Sequence, residues 1–334
     1  MTVASTARTM TAAMAASAVV AVAANALERR RARQAIRSAR PLRRTAVGAP
    51  LPPAVPPGRV VNLPGRGEVF VRDSGGTSAS PPVLLLHGWT ASSDINFFPV
   101  YACLAESYRV IALDLRGHGR GMRSVEPFSL EDCADDAAAV LDQLGAGRVI
   151  VVGYSMGGPV GLLLARRHPE RVAALVMQAT ALEWQRTARE RVVWRLLPLM
   201  DVGLRLGAGT GFIERVLRRA AGGAPELDRY RPWLAAEFRR ATAHDLVAAG
   251  RALSHYDATP WAGQLDVPAS MLVTTRDRLV RPAKQRALAE VLRASVFEID
   301  ADHDVPLAKG GEYATLTRLA VDKVAAAAGL TPGR

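Results

Sequence analysis

The chain predicts an α/β fold, a mainly parallel sheet with helices on both faces, interrupted once by an insertion made of helices alone. Three observations carry this. Short apolar runs recur (Val83-Leu-Leu-Leu86, Arg109-Val-Ile-Ala-Leu-Asp114, Val149-Ile-Val-Val152, Val172-Ala-Ala-Leu-Val-Met177), separated by stretches of helical spacing. Continuous apolar strands alternating with helices are buried on both faces, as parallel sheets require. The Val149–Val152 run enters Gly153-Tyr-Ser-Met-Gly157 and then, at once, the helix-forming Gly161-Leu-Leu-Leu-Ala-Arg-Arg-His168. Finally, from about Ala181 to Gln264 no strand signal appears. Helical spacing, many Arg and the aromatics Trp184, Trp194, Phe212, Trp233 and Phe238 fill that segment.

In chain order, residues 9–27 are uncharged and rich in Ala and Val, and Arg29-Arg-Arg-Ala-Arg33 comes next, with Arg37, Arg40, Arg43 and Arg44. Three readings compete for this segment. It could be a signal peptide with a small-x-small site at Ala24-Asn25-Ala26, a membrane-spanning anchor, or a solvent-facing or surface-associated helix with a basic tail. The Arg cluster on the far side of the apolar stretch argues against export and, if the segment spans, would keep the rest of the chain on the cytoplasmic side. A cytoplasmic location is therefore expected, with membrane association through residues 9–44. Pro50-Leu-Pro-Pro-Ala-Val-Pro-Pro-Gly58 reads as a stiff linker. The folded domain is expected from Arg59, opening with a hairpin over Val60–Asp73 turned at Pro64-Gly-Arg-Gly67. Helical spacing covers Phe128–Leu144, with Ser129 as N-cap and Glu131 and Asp132 in the first turn. After the insertion, alternation resumes with a strand over Pro268–Thr275, a helix over Pro282–Leu292, a strand over Ser295–Ile299 and a last helix from Glu312 to Ala328. The expected units are thus 1–58 (tail and linker), 59–180 with 265–330 (core) and 181–264 (lid).

The charge distribution supports that division. The formal charge is +12 over 334 residues. Residues 1–58 hold nine Arg against Glu28 alone, and residues 181–264 hold thirteen basic against nine acidic side chains. The remainder balances at twenty-one of each sign, so the core is neutral, which argues against a nucleic-acid-binding body and for a basic tether. Cys103 and Cys133 have no metal-ligand spacing and read as free thiols in a reducing compartment. No metal or nucleotide fingerprint is present, and no cofactor is expected: the glycines of Gly153–Gly158 lack the Lys-Ser/Thr of a phosphate loop.

The chemistry centres on Ser155. A Gly-x-Ser-x-Gly between strand and helix holds the serine in a strained turn. The residues two before and two after it, Gly153 and Gly157, must then be small. The helix behind it starts with unpaired N–H groups aimed at any anion formed there. A serine nucleophile needs a base, and the base a partner that fixes its tautomer. Residues after the carboxyl ends of parallel strands share one rim. Asp277 follows one strand and His303 another, with Asp302 and Asp304 as rivals to Asp277. His87 and His118 read as loop-shaping groups, not bases, and His168, His244 and His255 have no visible partners.

With His87-Gly88-Trp89, Gly153-Tyr-Ser-Met-Gly157, Asp277 followed by Arg278-Leu-Val-Arg-Pro282, and Asp302-His303-Asp304-Val-Pro306, the chain resembles the α/β-hydrolase family over about residues 59–330. The resemblance implies an eight-stranded, mainly parallel sheet with an inserted helical lid. It also implies a triad of Ser155, His303 and Asp277, and an oxyanion hole of the backbone N–H groups of Trp89 and Met156, with His87, Gly88, Gly153 and Gly157 in support. Serine at 155 sets aside the dehalogenase and epoxide-hydrolase chemistry that an aspartate there would give. No acid follows Met177 in Gln178-Ala-Thr180, so the alternative place for the triad acid is empty. The expected activity is hydrolysis of a carboxylic ester or related acyl substrate, with no nucleic-acid partner. Acyl transfer, perhydrolysis or carbon–carbon cleavage in the same pocket, and a non-catalytic ligand-binding role, are the rivals. The Arg excess of the lid points, weakly, to an anionic substrate or a membrane face.

Overall fold

A computed structural model describes residues 55–76, 81–197 and 225–330, together with Arg30, Leu199 and Val202. The expectations for residues 9–44 and for most of the Pro-rich linker lie outside the described residues. Eight strands form one sheet in the order β1-β2-β4-β3-β5-β6-β7-β8. They are β1 (Gly58–Leu63), β2 (Gly67–Asp73), β3 (Pro82–Leu86), β4 (Arg109–Leu113), β5 (Val149–Tyr154), β6 (Val172–Gln178), β7 (Ala269–Thr274) and β8 (Ser295–Ile299). The pairs β1/β2 and β2/β4 are antiparallel and all the others parallel. The apolar runs of the sequence are therefore the inner strands, and every residue of β5 and β6 is buried.

Among the described residues, ten α-helices accompany the sheet: α1 (Ser93–Phe97), α2 (Tyr101–Ala105), α3 (Leu130–Gln143), α4 (Gly157–Arg167), α5 (Ala188–Arg195), α6 (Arg231–Phe238), α7 (Ala243–His255), α8 (Pro282–Val291), α9 (Val305–Ala308) and α10 (Gly310–Ala327). The alternation of strand side chains divides the core into two layers. Leu84, Leu86, Val149 and Val151 face a cluster with Leu141 of α3, Leu163 of α4 and Leu288 of α8. Val83, Leu85, Ile150 and Val152 face Phe97, Tyr101, Leu104 and, from α10, Tyr313 and Val324. Ser129 caps α3 by accepting the Asp132 N–H at 3.0 Å, as its position before two acids predicts.

Among the described residues, the segment between β6 and β7 holds helices and no named strand, as its spacing predicts. Its two ends are pinned together by an isolated bridge, Glu183 to Asp257, and by the Ala258 N–H donating to Leu182 O at 2.8 Å. The segment thus leaves and rejoins the sheet at one point, which is why it does not disturb strand order. Trp233 of α6 is fully buried, edge-on to Phe98 and clustered with Leu307 of α9. The short helices α1 and α2 carry no sequence signal of their own. Cys133 and Cys103 are free thiols. No helix among the described residues is long and apolar enough to cross a membrane.

Candidate active site

The turn after β5 puts Ser155 at φ 52°, a left-handed conformation that costs a non-glycine residue on the order of 1–3 kcal/mol. Two hydrogen bonds and the close approach of two glycines hold it. The Ser155 N–H donates to Gln178 O of β6 at 2.9 Å, and the Gly158 N–H returns to Ser155 O at 2.9 Å. The chain also closes on itself at the two glycines: a Cβ on Gly153 would stand 2.5 Å from Gly157 O, and one on Gly157 would stand 1.9 Å from Leu86 O. The small residues predicted around the serine are therefore required by backbone, not by side chains.

Three side chains from three strand ends meet here. His303 Nε2 lies 3.0 Å from Ser155 Oγ, and His303 Nδ1 lies 2.7 Å from Asp277 Oδ2. Asp277 is buried and accepts from every side. Its Oδ1 takes the N–H groups of Leu279 and Val280, both at 2.8 Å, and its Oδ2 takes Thr274 Oγ1 at 2.8 Å and Gln285 Nε2 at 3.2 Å. Five donors on one carboxylate fix its orientation. Of the rivals, Asp302 turns its Oδ1 to the N–H groups of His303 (2.8 Å) and Arg278 (3.0 Å), and so serves the loop. The Tyr154 hydroxyl donates to His303 O and anchors the same loop from the strand below.

Gly88 approaches Ser155 so closely that a Cβ there would stand 3.0 Å from the serine Cβ. That brings the Gly88–Trp89 backbone to the nucleophile, and Thr90 at φ 67° completes the bend. Met156 precedes the first residue of α4, where an N–H has no intrahelical acceptor. His87 is fully buried. Its Nε2 accepts the Leu115 N–H at 2.9 Å, so the proton sits on Nδ1 and is donated to Gly88 O at 2.8 Å. Burial lowers the His87 pKa, against the pull of Asp114 and Gly88 O, which favours the neutral ring. His118 is likewise buried and structural: burial pushes it down to about 3, and its Nδ1 lies 3.0 Å from Arg116 O.

Several supports have no motif. Glu237 of α6 is buried beneath the helical segment, paired with Arg120 and, at 2.9 Å, with Arg240, and its Oε2 accepts from Ser92 Oγ at 3.1 Å. Burial raises the Glu237 carboxyl above its ordinary range while the two guanidiniums pull it back. Arg120 also reaches Asp94 Oδ2 at 3.3 Å, and Asp94 is clasped from the other side by Arg72. The Trp89 indole N–H donates to Leu246 O of α7 at 2.8 Å, and its ring packs on Trp194 of α5, centroids 5.6 Å apart. Thus both the loop and the helices beyond β6 bear on Trp89. Among the described residues no group of three or more His, Cys, Asp or Glu could hold a metal ion.

Known proteins give the same picture of the fold. The chain is 37% identical over 111 residues to a bifunctional esterase/perhydrolase of Acinetobacter calcoaceticus, an alignment covering 33% of this chain and 40% of that protein. It is 35% identical over 120 residues to epoxide hydrolase B of Mycobacterium tuberculosis, covering 35% of this chain and 34% of that one. It therefore spans well under two thirds of the length of the curated relatives it matches. Among solved structures, an enol-lactonase from Burkholderia xenovorans LB400 superimposes with a TM-score of 0.69 at 24% identity, over 80% of this chain and 100% of that one. A thermophilic esterase from Thermogutta terrifontis does so with a TM-score of 0.65 at 23% identity, over 80% and 99%. The alpha/beta hydrolase fold family matches residues 81–308, more than half of the chain and inclusive of Ser155, Asp277 and His303, and to that family the chain belongs.

Proposed function

We propose that the protein is a serine hydrolase that cleaves a carboxylic ester, or a related acyl bond, through an acyl-enzyme on Ser155. The observation that carries this reading is the continuous line from Ser155 Oγ through His303 (3.0 Å) to Asp277 (2.7 Å). His303 Nε2 takes the hydroxyl proton as Oγ bonds to the carbonyl carbon. Asp277 holds the other ring proton on Nδ1 and stabilises the imidazolium. The developing oxyanion is met by the N–H groups of Trp89 and Met156. Donors of this kind contribute on the order of 100–1,000-fold in rate. Collapse expels the alcohol with the proton from His303. Water, deprotonated by the same ring, then releases the acid and restores Ser155.

Residues 181–264 read as a lid over this core, and Trp194, packed on Trp89 in the loop beside Ser155, gives its described part an apolar side, which suits a hydrophobic acyl or alcohol group. A small-molecule ester is the expected partner. A cytoplasmic location with attachment through residues 9–44 belongs to the same reading, and comparing membrane fractions of the full chain with those of a chain starting at Arg59 tests it. The similarity to an esterase/perhydrolase favours, as a second outcome of the same acyl-enzyme, transfer to peroxide. Serine-directed fluorophosphonate labelling and a p-nitrophenyl ester series decide the main reading. Both signals should vanish in Ser155→Ala, and ester turnover that survives this substitution would overturn it. Product analysis with added peroxide or alcohol separates hydrolysis from transfer.

A further inference from the structure

Helix α5 has two apolar faces, and only one of them is buried. Inward, Trp194 packs against Trp89 and Trp184, and its indole N–H donates to Trp184 O at 2.7 Å. Glu190, the one carboxylate of α5, is also drawn inward: it caps the helix with Thr187 and receives Lys284 Nζ at 3.1 Å and Arg281 at 3.4 Å. Outward, Val192, Val193 and Leu196 are 54%, 55% and 50% exposed, and Leu199 and Val202 continue the run at 66% and 53%. Of the nine large hydrophobic side chains exposed among the described residues, these five fall within eleven consecutive positions. Arg186, Arg191 and Arg195 are exposed beside them. Through Arg281 and Lys284 the helix is tied to the loop bearing Leu279, 62% exposed, and Arg278, whose side chain is 83% exposed.

A helix on a protein in water normally turns charged groups away from its buried face. Here the outward face is apolar with guanidiniums at its margin, and α5 has no carboxylate on it. Clustered exposed apolar groups mark interaction surfaces. Charge decides among the occupants. A second copy packed about a two-fold axis would bring this face against itself, Arg-rimmed surface on Arg-rimmed surface with no carboxylate of α5 between them. The Arg-rich residues 29–44 of this chain would meet the same repulsion. An anionic lipid surface is attracted by both, and an apolar stripe edged with Arg is the pattern that lies in a bilayer interface.

We propose that the outward face of α5, with Leu199 and Val202, docks on an anionic lipid bilayer. Docking sets Trp194, and through it Trp89 beside the nucleophile, about one helix diameter (~10 Å) from the lipid boundary. The placement holds whatever reaction Ser155 performs.

The test is co-sedimentation of the full chain with vesicles of phosphatidylcholine alone and of phosphatidylcholine mixed with phosphatidylglycerol. The wild type should bind the mixed vesicles and bind neutral ones weakly. The pair Val192→Glu with Leu196→Glu should lower binding to mixed vesicles at least about tenfold. Arg191→Gln with Arg195→Gln should lower it by about tenfold to thirtyfold and leave the weak neutral binding unchanged, since each basic residue near such a surface contributes about 1 kcal/mol and about 1.4 kcal/mol is tenfold. Thermal unfolding within a few degrees of wild type shows that the fold is intact, as expected for surface positions, and the Arg pair stands as the test should the Glu pair misfold. Three results would overturn the proposal. The first is no binding by the wild type. The second is equal binding by the variants, which would place attachment elsewhere, in residues 9–44 for instance. The third is a wild-type dimer that the Glu pair dissociates, which would make the face an interface between copies.

Discussion

Replacing Asp277 by Asn removes one charge and almost no volume, yet the surroundings of Asp277 predict a severe effect. All five groups that reach this side chain are donors: two backbone N–H groups on Oδ1, and Thr274 Oγ1, Gln285 Nε2 and His303 Nδ1 on Oδ2. An amide can keep the two backbone bonds with its oxygen, but its NH₂ then faces His303 and the Gln285 amide. His303 can meet that NH₂ only by accepting on Nδ1, which moves the ring proton to Nε2, toward Ser155. A ring protonated on that nitrogen cannot take the serine proton. Inverting the tautomer in serine proteases lowers kcat by about 10,000-fold, or roughly 5 kcal/mol of transition-state stabilisation. For Asp277→Asn the expected loss is therefore about 1,000- to 10,000-fold in kcat on a p-nitrophenyl ester, with KM changed little, and fluorophosphonate labelling of Ser155 should slow in parallel. A variant within tenfold of wild type, with Asp302→Asn collapsing instead, would refute the assignment of the orienting acid.

Three further outcomes are expected. His118 is held neutral in the fold down to about 3 while an unfolded histidine protonates near 6.5, so the unfolded chain binds the extra proton and stability falls as the pH drops through that window. His118→Leu, which leaves no buried Nε2 without a partner, should make the acid slope of urea-unfolding free energies shallower by up to about 1.4 kcal/mol per pH unit; an unchanged slope would show that His118 is protonated in the fold. Gly157→Ala places a Cβ 1.9 Å from Leu86 O, and should cost at least about 3 kcal/mol in thermal or urea unfolding, because backbone must move on both sides. Gly250→Ala on α7 brings a Cβ within 2.6 Å of the Trp89 ring, so the Trp89 loop should shift and kcat fall by roughly 10- to 100-fold with a smaller change in KM.

The inner sheet was legible because its strands announce themselves: Val149–Val152 or Val172–Met177 can be buried on both faces and little else. Position along the chain then placed Ser155, Asp277 and His303 after strand ends, and in a parallel sheet those ends lie together, which is where the structure has them. The short α1 and α2 could not be read, since five residues barely complete one turn and tertiary contacts hold them. The donors around Asp277 were also invisible, because Gln285 and Thr274 look like any polar residue on a helix or strand. So was the buried set of Arg72, Asp94, Arg120 and Glu237, whose members lie up to 165 positions apart; each, taken singly, reads as a solvated charge. The antiparallel pairing of β2 with β4 depends on which strand fills the gap beside β3, a choice no local pattern records.

That buried set has a consequence for how the protein could be altered. Glu237 rides on α6 but its partners Arg120 and Ser92 belong to the core, and stranding one member of a buried ion pair costs about 3–5 kcal/mol. Helix α6 therefore cannot lift without forfeiting a large share of the folding free energy, and its amide protons should exchange with deuterium as slowly as those of β5. Helix α5 is held by indoles and by the ion pairs of Glu190 with the exposed Arg281 and the half-buried Lys284, and no fully buried ion pair ties it to the core. A mutant library aimed at new substrates would accordingly find tolerant positions at Trp184, Trp194 and Leu197, and would lose most of its members to misfolding at Trp233 and Glu237.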